Sequence, residues 1–157
     1  MVPDPQAEVA FDRYQPLLDL MTTWIASNVD SLHIDMVVCT GDLVNHNHYL
    51  NPDGKNANQT GTQQWEAVSR SFSRLDGITP YALAIGNHDY SSYPTQNRQT
   101  FFDDYFPPHR NRLNLRVLRE VGTDAKGSPT MANASYEVVT HQGHKDLILV
   151  LEYAPRD

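Results

Sequence analysis

Cys39 is the only cysteine, so no intrachain disulfide is available to hold the chain together. Its place inside an apolar run marks it as an inert core thiol, and the redox compartment stays open. Basic residues are also in short supply: 12 Lys and Arg against 19 Asp and Glu give a formal charge of −7. That balance argues against general nucleic-acid binding and against a polybasic membrane anchor, and an anionic substrate would need a cation to be attracted. No apolar run approaches the roughly 20 residues of a membrane span. The residues after Met1 lack the basic-then-apolar pattern of a signal peptide, which leaves a cytoplasmic chain or one whose leader has been lost. There is no internal repeat. With an apolar share of 39% over 157 residues, one domain with a real core and long polar loops is expected.

What the chain does contain is an alternation of helix and strand signals. Met1 to Gln6 carries two prolines in a short polar run, and reads either as the loop after a strand or as an unstructured terminus. Tyr14, Leu17, Leu18, Met21, Trp24 and Ile25 are spaced as on one helix face, which predicts a helix from about Pro16 to Asn28. The β-branched run Ile34 to Thr40 suits a buried strand, and Leu43 to Thr62, rich in Asn, His and Gly, a loop. Trp65, Val68, Phe72 and Leu75 predict an amphipathic helix over Gln63 to Leu75 with Arg70 and Arg74 on its solvated side. Tyr81 to Ile85 reads as a second strand. Thr100 to Phe106 is aromatic and is assigned to the core or to a packed lid. His109, Arg110, Arg112, Arg116 and Arg119 form a basic cluster, either an exposed face that balances the acidic remainder or a surface that meets an anionic substrate. Gly122 to Ala134 is expected to be loop. Tyr136 to Thr140 and Leu147 to Tyr153 form a hairpin pattern, antiparallel and in a different sheet from the first strands. The fold class is therefore α/β.

Each of the first two strands runs into a polar cluster, Gly41-Asp42 and Gly86-Asn87-His88-Asp89. If the strands are parallel neighbours, both clusters emerge at the same carboxyl edge of one sheet, where open α/β sheets place their sites. A carboxylate, an amide oxygen and an imidazole gathered there suit a divalent metal and a phosphate. Simple turn formation would explain each cluster alone, but not their pairing and order.

The pair of motifs resembles the calcineurin-like metallophosphoesterases, whose Gly-Asp and Gly-Asn-His-Asp signatures are matched here without a mismatch. The resemblance implies a two-sheet sandwich flanked by helices, with residues 1–157 as the N-terminal portion of one domain, its first strand and C-terminal part missing. Three histidines of the family's late motifs have no counterpart; His141 and His144 are assigned to a hairpin tip, because Asp146 stands where a second histidine is needed. The implied activity is hydrolysis of a phosphomonoester or phosphodiester with two divalent metal ions, Mn, Fe or Zn. Carried over residue by residue, Asp42 bridges the metals and Asn87 holds one of them. Asp4 and Gln6 hold the other, glutamine being a harder and weaker donor than the usual histidine. His88 faces the phosphate as charge stabiliser and general acid, and Asp89 orients it. Asn45 supports the ligands from behind, and His46 and His48, on the loop at the mouth of the site, either face the substrate or are simply solvated. The competing reading is a non-catalytic metal-binding, phosphate-binding or interaction module with a degenerate site. In either case exposed sheet edges favour self-association.

Overall fold

A computed structural model describes residues 1–90, 99–124 and 126–153. The first helix, α1 (Gln6–Ala10), follows Pro5 directly, and a 3₁₀ turn over Asp12–Tyr14 leads into α2 (Gln15–Asn28), which carries a proline in its first turn. Leu18, Thr22 and Ile25 are its buried positions, whereas Leu17 and Trp24 of the expected apolar face lie exposed. Strand β1 (Val37–Cys39) pairs in parallel with β2 (Tyr81–Leu83), and α3 (Gly61–Phe72) connects them. Both strands are shorter than the apolar runs that announce them. Pro80 precedes β2 and offers only its carbonyl, to Val37 N–H at 3.0 Å, while Gly41 and Asp42 turn the chain away with positive φ. On the other side of β1, Val2 forms a parallel bridge with Cys39, its N–H donating to Val38 O at 2.8 Å. The N-terminal segment thus adds one strand position to the sheet before it enters α1.

Helix α3 begins two residues earlier than its apolar pattern suggests, because Thr60 caps it. Thr60 Oγ1 accepts the Gln63 N–H at 3.2 Å, and Gln63 Oε1 accepts the Thr60 N–H at 2.8 Å, a reciprocal capping box. Trp65, Val68, Phe72 and Leu75 are fully buried. The outer face is not idle: Arg70 donates to Gln15 Oε1 and Arg74 pairs with Asp19 at 3.0 Å, joining α3 to α2. The aromatic segment forms α4 (Phe102–Tyr105) inside the core, with Tyr105 stacked on Trp65 at 5.8 Å and Phe106 edge-on to Phe72 at 6.0 Å.

A short helix, α5 (Asn114–Val117), leads into a second, antiparallel sheet of order β3-β4-β5, made of Leu118–Thr123, Pro129–Val139 and Lys145–Val150. The hairpin of β4 and β5 forms as expected, but β5 begins at Lys145 and ends at Val150 rather than running from Leu147 to Tyr153. The loop expected over Gly122 to Ala134 is instead the end of β3, a tight turn and the first half of β4. Asp124 Oδ1 closes that turn by accepting the N–H groups of Lys126 and Ser128, each at 2.8 Å. The segment Thr130-Met131-Ala132-Asn133-Ala134 is poor in β-formers, and becomes strand because Met131, Ala132 and Ala134 are buried between pairing partners and helices. Arg110 departs from an exposed basic face: it donates to Ser69 and to the Tyr105 carbonyl, pairs with Asp76 at 3.4 Å, and lies over the Phe106 ring at 4.4 Å. It ties α3 to α4.

Among the described residues no helix is long and apolar enough to cross a membrane. Cys39 is fully buried in β1, and burial pushes its thiol up to about 12. Iodoacetamide at neutral pH is therefore expected to leave Cys39 unmodified in the folded protein and to label it fully in denaturant. Mass spectrometry reads both states, and fast labelling without denaturant would contradict this placement.

Candidate functional site

Because β1 and β2 are adjacent and parallel, their carboxyl ends deliver Gly41-Asp42 and Gly86-Asn87-His88-Asp89 to one edge. The two loops are in atomic contact. A Cβ on Gly41, whose φ is +113°, would lie 2.9 Å from Gly86 N, and a Cβ on Gly86 would overlap the Asp42 carboxylate. Neither glycine can carry a side chain without pushing the loops apart. In that contact Asp42 Oδ1 accepts the His88 N–H at 3.0 Å, and Asp42 itself is held at φ +47°.

Asp89 is fully buried. Its Oδ1 accepts the Val44 N–H at 2.9 Å and its Oδ2 accepts the Gly86 N–H at 2.8 Å, so one carboxylate bolts the loop after β1 to the loop after β2. Burial pushes this carboxyl up to about 7, outweighing the amide bonds that favour its ionised form. The expectation that Asp89 orients His88 is thereby corrected: both Asp89 oxygens serve the backbone. The imidazole is held instead by the Asn45 carbonyl, 2.8 Å from Nδ1. A carbonyl can only accept, so Nδ1 carries the hydrogen and Nε2 is the nitrogen left for proton exchange.

Asn45 thus acts on His88 through its backbone. Its side-chain amide donates weakly to Asn56 O at 3.4 Å. His46 lies beside His88, with ring centroids 6.1 Å apart, and burial together with that neighbour holds its pKa below the ordinary value. His48 is set apart from this group, edge-on to Phe101 at 4.9 Å. The Val2 bridge brings Asp4 alongside β1, where its Oδ1 accepts the Thr40 hydroxyl at 3.1 Å. Gln6 lines a cleft of about 320 Å³ together with Asn45, Asn56 and His88. Asn87 is exposed on the tetrapeptide turn.

The oxygens of Asp4, Gln6, Asp42 and Asn87 are hard donors, a set suited to Mn, Mg or Ca rather than to zinc. Among the described residues Gln6 Oε1 is buried without a hydrogen-bond partner, and such an atom calls for a cation or a donor to complete it. In this respect the residues fit a divalent ion. Among the described residues no three His, Cys, Asp or Glu side chains gather as a metal cluster, so amides must supply part of the ligation.

Two buried amides that the sequence reading passed over hold the His-rich loop in place. Gln64 Oε1 accepts the Asn45 N–H at 2.8 Å while its Nε2 donates to Gln59 O at 2.9 Å. Asn47 Oδ1 accepts both Trp65 Nε1, at 2.8 Å, and the Phe101 N–H, at 3.1 Å. Gln64 did leave a trace in the sequence, since it sits four residues before Val68 on the apolar face of α3. A polar residue there needs buried partners.

Asp89→Ala would strand two buried N–H groups at the loop junction and is expected to cost about 2–4 kcal/mol. His88→Ala, at a partly exposed position, should cost less than about 1 kcal/mol. Urea unfolding of the two variants checks this, and equal losses would refute the bolting role. Turning to known proteins, no curated protein and no solved structure gives a match. The sequence model of the calcineurin-like phosphoesterases matches residues 4–153, nearly the whole chain including both motif loops, and the chain therefore belongs to the calcineurin-like phosphoesterase family.

Proposed function

We propose that the chain is a metal-dependent phosphoester hydrolase working at the edge where β1 and β2 end, on a phosphomonoester or a phosphodiester. The observation that carries the reading is the mutual contact of Gly41-Asp42 with Gly86-Asn87-His88-Asp89, in which the Asp42 carboxylate takes the His88 N–H while the tautomer-fixed His88 ring lines an open cleft. Asp42 and Asn87 would hold divalent metal at this edge, and Asp4 and Gln6 would hold a second ion beside it. When bound, the ions neutralise phosphate charge and make water acidic enough to attack phosphorus in line. Four oxygen-bearing side chains are fewer than two such ions require, so further ligands, water among them, would complete the site, and metal affinity is modest.

The chain's own residues supply positioning and a proton. The Asn45 carbonyl fixes the His88 ring with hydrogen on Nδ1, so that the imidazolium form donates from Nε2 to the departing alkoxide. Asp42 accepts the His88 N–H, so the ligand on one loop and the acid on the other are tied by a direct hydrogen bond. The net charge of −7 disfavours an anionic substrate until cations occupy the edge.

The scarcity of charged ligands favours a second reading, a phosphate- or metal-binding module without turnover. Metal analysis and phosphoester assays on the same preparations separate the two. Asp42→Asn should lose bound Mn, and His88→Ala should retain it while turnover falls about 100-fold or more. Metal bound stoichiometrically with no hydrolysis of any phosphoester would favour the module. Equal loss of metal and activity in His88→Ala would remove its role as the acid.

A further inference from the structure

The cleft beside His88 has one wall that the chemistry above does not use. Phe11 and Tyr14 line it, opposite Asn45 and Asn56. Among the described residues neither ring belongs to the hydrophobic core or to the apolar side chains packed against it, and Tyr14 is 40% exposed. Two aromatic rings left out of the core at the rim of a polar site cost solvent-exposed apolar area and call for a partner.

The rings are nevertheless held in a set arrangement. They meet edge to face at 5.9 Å, and the Arg13 guanidinium lies over both, 5.0 Å from one centroid and 4.7 Å from the other. The segment that carries them is clipped to the facing loop. Ala10 O accepts the N–H groups of Asn58 and Gln59 at 3.0 and 3.2 Å. Asp12 and Asn58 exchange a reciprocal pair, Asp12 N–H to Asn58 Oδ1 at 3.0 Å and Asn58 Nδ2 to Asp12 Oδ1 at 2.8 Å. These four bonds fix the spacing between the aromatic wall and the Asn45–Asn56 side before any ligand enters.

We infer that this cleft is a subsite for a flat aromatic group carried by the phosphoester, stacked on the Phe11–Tyr14 wall while the phosphate lies toward His88 and Asp42. The inference rests on the hydrolase reading for its phosphate end and on the cleft geometry for its aromatic end. Aromatic stacking favours a planar ring over a saturated one of the same size, because the ring quadrupoles contribute beyond the area they bury. The subsite therefore selects among esters by the ring they carry, independently of the ester bond.

The test compares 2-phenylethylphosphonate with 2-cyclohexylethylphosphonate, which no phosphoesterase can cleave, binding each to the Mn-supplemented protein by calorimetry. The aryl ligand should bind about 3- to 10-fold tighter. Tyr14→Ala and Phe11→Leu should each reduce that ratio toward one, and Tyr14→Phe should keep it. Equal binding of the two ligands, binding of neither, or a ratio untouched by Tyr14→Ala and Phe11→Leu would overturn the subsite. Turnover of 2-phenylethyl phosphate is read separately. An aryl preference in binding without hydrolysis of 2-phenylethyl phosphate or of its methyl diester would remove the hydrolase reading and leave the subsite standing.

Discussion

The site depends on a single buried carboxylate. Asp89 joins two loops that the chain separates by more than forty residues, and it does so through backbone N–H groups rather than through any side chain. Such a bond pair fixes main-chain position, and every functional atom at the edge inherits its place from it: the Asp42 carboxylate, the His88 N–H that binds it, and the Asn45 carbonyl that holds the imidazole. The two glycines make the arrangement possible, since any larger residue at Gly41 or Gly86 would fill the space in which the loops meet.

The same economy governs the wall around the cleft. The segment from Leu43 to Thr60 lacks periodicity and could not hold itself in place by apolar packing alone. Gln64 and Asn47, both buried, hold it by amide bonds to its backbone and to Trp65. Their cost in a core is offset because each polar atom used has a partner. The loop that presents Asn45 and His46 is thus braced from the core side and left free to line the cleft on the other.

Charge divides the surface between two clefts. A second one, of about 310 Å³, is lined by Asp103, Asp104, Asp124 and Glu152 with Lys126 and His48. Its acidic rim repels phosphate, whereas the cleft with Gln6, Asn45, Asn56 and His88 carries amides and an imidazole. Under the proposed function, the latter is the cleft whose charge admits a phosphoester once cations are present.

Much of this was legible in the sequence. Apolar spacing announced α2 and α3, β-branched runs announced β1 and the hairpin of β4 and β5, and the two glycine-led clusters announced the edge where the loops meet. The tertiary structure decided the rest. Strand β3 mixes Val121 and Thr123 with charged residues and Gly122, and the first half of β4 has Thr130 as its one β-branched residue, so pairing and burial decide that they are strand. Asp89 next to His88 in sequence suggested a carboxylate–imidazole pair, yet successive residues on a tight turn point apart. The partners that reach them, Val44 and Gly86 for one and Asn45 for the other, are chosen by how the loops fold over each other. Sequence determined which chemical groups arrive at the sheet edge, because strand periodicity and motif order are local. Which atom each group bonds was decided by long-range packing, because hydrogen bonds are set by distance in space and not along the chain.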